Sequence, residues 1–441
     1  MEKVSTRSPW WWIPTLYFAE GIPYFIVNNI SVVMFTRMGV PNESMALYTG
    51  LLYLPWTIKP LWSPFVDILK TKRWWIVAMQ ALITAAMIFL ALSVPRPDGA
   101  EMASRTVPVS LFTTTLILFL ITAFASATHD IAADGFYMLA LPQKDQSFFV
   151  GIRSTFYRLS SIFGQGVLVW IAGALETSTG DIPAAWRLTL LLTSVIFAAV
   201  TLYHVFIIPR PDSDKPSVET NGKALKFSEI MGEFGRAFAT FFKKRGILIA
   251  LLFLLLYRIP EALMLKMVTP FFLDNRAAGG MGLTTSQLGL IYGTIGVIAL
   301  TVGGIVGGIA ASRWGLKKAL WPMALSLILP NIVYVYMSLA HPASLWVTGA
   351  CVAFEQFGYG FGFTAYMLYM IYFSDGEFKT SHYAICTAFM ALSMMIPGML
   401  AGYLWKWLGG YVNFFITVMA CCLLTVAVTF LVKVDPEYGK K

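Results

Sequence analysis

The apolar positions of this chain fall into long unbroken runs separated by short polar breaks, without the every-second-residue alternation of a barrel strand. A bilayer core of about 30 Å needs roughly 20 apolar residues per helix, and about twelve runs reach that length. They lie at 10–35 (span 1), 45–67 (span 2), 74–95 (span 3), 108–140 (span 4), 148–174 (span 5) and 185–208 (span 6). Spans 7 to 12 follow at 246–273, 286–312, 317–340, 344–374, 381–405 and 410–432. The pattern predicts an all-α polytopic membrane protein, because a helix satisfies its own backbone polar groups in a nonpolar solvent.

The longest polar stretch, 209–244, begins Pro-Arg-Pro-Asp and divides the chain into two sets of spans. The expected organisation is an N-terminal bundle at 1–208, a linker at 209–244 and a C-terminal bundle at 245–441. Within the linker, Phe227, Ile230, Met231, Phe234, Phe238 and Phe241 recur at helical spacing. They predict an amphipathic helix, lying at the membrane interface or packed on the bundle.

Composition agrees with a bilayer solvent: charged residues are 12% of the chain against roughly a quarter in a soluble domain. The net charge of +9 raises the question of nucleic acid, which the placement of the basic residues answers. With the N-terminus inside, about 21 of the 32 Lys and Arg fall on the cytoplasmic side and roughly 6 outside. Both termini are therefore expected in the cytoplasm, and a nucleic-acid stripe is not. The four cysteines, Cys351, Cys386, Cys421 and Cys422, sit in spans without metal-ligand company. Neither a disulfide framework nor a metal or other cofactor is expected. No small-residue cleavage site follows the tryptophans at 10–12, so span 1 is expected to be retained.

A duplication should leave matching features in the two halves. At a shift of 245 residues, SPFVDILKTKR (63–73) lies over GIAASRWGLKK (308–318). The second copy, with Gly308, Arg313 and Gly315, resembles the Gly-x-x-x-Asp-Arg-x-Gly-x-basic-basic loop of the major facilitator superfamily, Ser312 replacing the acid. The first copy keeps Asp67, Lys72 and Arg73 but has Ser63 in place of the glycine.

An ionised side chain at mid-bilayer costs roughly 2.5–3.5 kcal/mol on insertion scales, so charges within spans mark partners or wet cavities. Glu20, Lys59, Arg258, Glu261 and Glu355 count to mid-depth, and Asp130 with Arg158 toward the linker side. Both halves contribute, as a cavity between them requires. Candidate substrate-binding or gating residues are Glu20, Lys59, Arg158, Arg258, Glu261, Lys266, Glu355 and Gln356. Candidate proton carriers are Asp130, Glu20, Asp134 and His129. Asp130 and Asp134 are four apart and share a helix face, with Lys59 or Arg158 as alternative ion-pair partners of Asp130 and a structural pair open to Asp134 and Arg153. His129 diverges from Asp130 by about 100°. Arg258 and Glu261 are spaced to pair with each other. Basic groups inside the spans favour an anionic substrate. Span 8 carries Gly289, Gly293, Gly296, Gly303, Gly304, Gly307 and Gly308, a pattern of close helix packing.

Several segments resemble the AmpG-type muropeptide permeases and the related acetyl-coenzyme A transporters, a branch of the major facilitator superfamily. They are TLYFAEGIPY (15–24), LPWTIKPLWSPFVD (54–67), ATHDIAADGFYMLAL (127–141), RSTFYRLSSIFGQG (153–166) and SHYAICTAFMALSMMIPGMLAGYLWKWLG (381–409). The resemblance implies a major facilitator fold and proton symport of anhydro-muropeptides, anionic sugar-peptides, across a Gram-negative inner membrane into the cytoplasm. It departs at His129, where glutamine is common, and the chain lacks the extra hydrophobic stretches of longer permeases. A transporter of acetyl-coenzyme A or another anionic metabolite is the alternative, and a non-transporting sensor a third. An enzyme is not expected, since no phosphate-binding glycine loop or His-Glu-x-x-His is present. The working unit is expected to be a monomer.

Overall fold

Proline and glycine decide where the long apolar runs become straight helices and where they break. The computed structural model describes residues 8–214, 227–435 and 438, which are helical with no strand among them. Nine stretches among the described residues are long and apolar enough to cross a membrane: Pro9–Arg37, Lys72–Ser93, Val109–Ala140, Gly151–Thr179, Ile182–Ile207, Ile247–Leu273, Thr285–Ala340, Lys379–Leu408 and Tyr411–Leu431. Thr285–Ala340 is 56 residues long and is interrupted at Gly315, whose φ of 73° and ψ of 157° end one helical direction and begin another. That break falls between the expected spans 8 and 9, in the loop with the repeated motif, and only glycine takes this backbone without strain. Span 2 is present as short helices, Asn42–Leu51, Leu54–Ile58 and Ser63–Ile68, with a 3-10 turn at Lys59–Leu61. Pro55 and Pro60 lack the N–H that a continuous helix needs. Span 10 is one helix, Leu345–Ser374, diluted in apolarity by Glu355, Gln356 and interspersed glycine and tyrosine.

Capping at the linker end follows from residue chemistry. Backbone N–H groups of Lys72 and Arg73, at the start of span 3, donate to the Asp214 carboxylate at 2.7 and 2.9 Å. The Arg73 guanidinium donates to the carbonyls of Val205 and Ile208 at 2.5 and 3.1 Å, where the end of span 6 leaves acceptors free. The motif's basic pair thus ties spans 3 and 6 together. The Asp67 side chain lies outside the described residues, and Gly308 and Arg313 stand on the helix before the Gly315 break.

The halves meet along spans 2 and 11 and along spans 5 and 8, where missing side chains allow close approach. A Cβ on Gly293 would stand 1.9 Å from the Gln165 carbonyl oxygen, and one on Gly402 would stand 2.3 Å from that of Asn42. Gly303 and Gly307 serve span 8's packing on span 10 in the same way, facing Phe357 and Phe361. The linker helix Phe227–Phe242 packs on the base of the C-terminal half: Phe241 is fully buried against Phe373 and Phe389, and Thr240 bonds to His382 at 3.1 Å. The side chains of Phe227, Ile230 and Met231 lie outside the described residues.

Candidate functional site: a central cavity sealed at one end

A cavity of about 610 Å³ lies between the halves and is lined from both. Irregular backbone supplies several of its walls. Asn29, Gln165 and Tyr292 each line it from a π-helical turn, Ile26–Ile30, Ile162–Leu168 and Gly289–Gly296 respectively. Lys59 comes from the 3-10 turn after Pro55, and Arg258 from the break just before Pro260. Widened turns re-aim side chains that a regular helix would point elsewhere. Asn29 donates to Gln165 at 2.9 Å.

Six of the candidate residues named from sequence line this cavity: Lys59, Arg158, Arg258, Glu261, Glu355 and Gln356. Lys59 pairs with Asp130 across spans 2 and 4. Arg258 donates to both oxygens of Glu261, at 3.0 and 2.8 Å, and to the Tyr359 hydroxyl at 2.9 Å, with its guanidinium 4.6 Å from the Phe363 ring centre. Glu355 accepts from the Tyr334 hydroxyl at 3.1 Å and from the Gln356 amide at 3.0 Å. Arg158 differs: its one hydrogen bond among the described residues reaches across the halves to the Thr301 hydroxyl at 3.4 Å, and no carboxylate among them pairs with it. Beside these charges, Tyr24 packs edge-on against Trp56 at 5.1 Å and near Tyr157 at 6.4 Å, giving the N-terminal wall an aromatic surface.

The remaining candidates stand behind or beside that wall. Asp134 is bound by Arg153 at 3.0 Å and by the Tyr17 hydroxyl at 3.1 Å, and Arg153 lies over the Tyr17 ring at 4.6 Å. Glu20 is buried beside the acidic Asp130 and Asp134, and its Oε2 has no hydrogen-bond partner among the described residues. Neighbouring helix positions do diverge: His129 turns into the N-terminal bundle, accepting from the Gln80 amide at 3.0 Å. Gln80 in turn accepts from His204 Nδ1 at 3.0 Å, and His204 Nε2 faces the Thr15 hydroxyl at 2.9 Å. Lys266 lies outside the cavity lining, at the seam between the halves.

At the end away from the linker, polar ties close the cavity. Asp274 pairs with Arg105 at 3.1 Å and accepts from the Tyr411 hydroxyl at 2.5 Å, and Asn42 bonds to both Arg105 and Tyr411. Lys406 pairs with Glu43 at 2.5 Å. Glu176 accepts from Thr285 at 2.6 Å and pairs with Arg37 at 3.0 Å. Arg105 with Asp274, Lys406 with Glu43 and Thr285 with Glu176 all join one half to the other. Burial pushes the Asp274 carboxyl above the usual carboxylate range, with Arg105 pulling it back. Toward the linker end the cavity reaches Ser154, which is exposed, and Met367, Leu368 and Thr387. Sequence reading did not find this latch, whose members are scattered over span ends and loops with no motif to join them.

Residues 13–377 match the profile of the Major Facilitator Superfamily. The anhydromuropeptide permease of Escherichia coli (strain K12) is 24% identical over 393 residues, covering 88% of this chain and 72% of that protein. A Haemophilus influenzae protein of uncharacterised function is 23% identical over 411 residues, covering 90% and 88%. The Rickettsia conorii transporter named AmpG 4 is 24% identical over 404 residues, covering 89% of each. Among solved structures, a D-xylose-proton symporter superposes with a TM-score of 0.70 at 13% identity, covering 97% of this chain and 98% of the other. A point mutant of the nucleoside transporter NupG gives 0.66 at 13% identity, covering 95% and 97%. At such identities these structures bear on fold alone.

Proposed function

The chain belongs to the major facilitator superfamily, a family of transporters and not of enzymes, and from that membership we propose that it imports anhydromuropeptides by proton-coupled alternating access. The observation that carries the reading is Arg158, a cation on the cavity wall with no carboxylate partner among the described residues. A substrate carboxylate would complete it. The aromatic surface of Tyr24, Trp56 and Tyr157 suits the face of a sugar ring. The likeness to the E. coli permease names a substrate that has both features.

In this reading the linker end faces the cytoplasm, as the basic loops favour, and the sealed end faces the periplasm. The two halves rock about the cavity, which one chain completes by itself, so a monomer works. The coupling proton is carried by the Glu20 and Asp130 carboxyls. Protonation there loosens Asp130 from Lys59, and the freed ammonium is available to an anionic substrate. Competition binding to the purified protein tests the substrate: an anhydromuropeptide should displace a labelled one, and acetyl-coenzyme A should not. Displacement by acetyl-coenzyme A alone would overturn the assignment.

A further inference from the structure

Lys266 of span 7 is 1% exposed, deep in the seam that alternating access must open. Its Nζ donates to the Thr49 hydroxyl of span 2 at 3.1 Å and stands 5.2 Å from the centre of the Tyr53 ring. The Thr49 hydrogen is already given to the Met45 carbonyl at 2.8 Å, so its oxygen is free to accept. From span 11, Gly398 makes room for the lysine stem, since a Cβ there would stand 3.3 Å from Lys266 Cγ. The site is built around this side chain.

Its polar surroundings do not suit an ammonium, which has three donors where one hydrogen bond is made. No carboxylate pairs with Lys266 among the described residues. Tyr53 is the titratable group that faces it from span 2, and span 11 presents Gly398. On its own span, Arg258 and Glu261 are joined to each other, and Asp274 beyond the span is joined to Arg105. Burying an ion without a counterion is costly, and a lysine escapes the cost by losing its proton.

We propose that Lys266 is a second proton-binding site, charged when the sealed end opens and water reaches it, neutral when that end closes. This rests on the alternating-access reading but not on the identity of the substrate. On closure an N–H bond of the ammonium breaks, the electron pair stays on Nζ, and the proton passes to cavity water beside Tyr53 and Leu265, both of which line the cavity. With the cavity reaching toward the linker end, each cycle then delivers that proton inward. Acid on the periplasmic side favours the open sealed end through Lys266. Asp274 has the opposite sign, because its raised carboxyl favours the closed form on acidification.

The test is the distance between spin labels at Ala100 and Ala343, exposed positions of the two halves at the sealed end, in lipid nanodiscs without substrate. The four native cysteines are replaced first. Between about pH 8 and pH 6, the wild-type ratio of open to closed distances should rise, by at most about tenfold per pH unit for one proton. Lys266→Met should remain closed across the range, and Lys266→Arg, which cannot release its proton, should remain open. A Lys266→Met protein that shifts like wild type overturns the proposal, and so does a wild type that does not shift. Failed anhydromuropeptide binding with this pattern intact would overturn the substrate reading alone.

Discussion

Arg158 and Arg258 line one cavity with the same side chain, yet their surroundings give them different work. Arg258 is held by Glu261 and Tyr359, so Arg258→Ala would leave the mostly buried Glu261 carboxylate, 12% exposed, without its partner. Breaking such a pair costs about 3–5 kcal/mol, and the variant should lose thermal stability. Arg158 has Thr301 as its one hydrogen-bond partner among the described residues and no carboxylate among them. Arg158→Ala should keep its melting temperature and weaken anhydromuropeptide binding about 10- to 100-fold, the worth of charged hydrogen bonds of about 1.5–3 kcal/mol. Equal effects in calorimetry would instead mark both as structural. The Lys59–Asp130 pair permits a finer measurement, a double-mutant cycle. Asp130→Asn should destabilise the protein and abolish gradient-driven accumulation, whereas adding Lys59→Gln should restore much of the stability without restoring accumulation. At this scale the spacing of Asp130 and Asp134 read correctly as one shared face, but spacing alone could not divide their partners. Four residues rise about 6 Å along a helix, enough for Asp130 to meet Lys59 while Asp134 meets Arg153.

Spans 1, 5 and 8 show why run length locates the elements better than their interiors. The apolar runs end close to where the helices do, since both follow from the thickness of the bilayer. The π-helical turns that aim Asn29, Gln165 and Tyr292 leave no trace in hydropathy, because one widened turn changes direction and not polarity. Most glycines of span 8 are a legible signal of close approach, but Gly308 is not, since a Cβ there would meet nothing within 4 Å, and which neighbour each of the others meets requires the tertiary arrangement. Two substitutions separate the uses of glycine. Gly402→Val would drive a side chain into Asn42 at the sealed end, so a cysteine placed in the cavity should react faster with an impermeant thiol reagent added from the side of the sealed end. Gly315→Ala strains the break between two helical directions, and should lower stability by about 1–3 kcal/mol in a denaturant titration while leaving that reactivity alone.

Across the whole molecule, a polar latch at one end and a cavity reaching toward the other describe a carrier poised toward its linker end. The latch draws on Asn42, Arg105, Asp274, Lys406 and Tyr411, residues separated by up to hundreds of positions, and hydropathy places them merely near span ends. Their convergence is a property of the assembled halves. Arg105→Ala should therefore shift the spin-label distances toward the open form. Asp274 adds a pH dependence of known sign: its contribution to closure is full below the ordinary carboxylate value and is lost as pH rises through its raised value. The central claim, proton-driven import of an anhydromuropeptide, is met most directly by radiolabelled uptake into proteoliposomes with and without an inward proton gradient. Accumulation above the external concentration with the gradient, and its collapse when a protonophore is added, is the predicted result. Uptake that ignores the gradient, or binding without any flux, would contradict it.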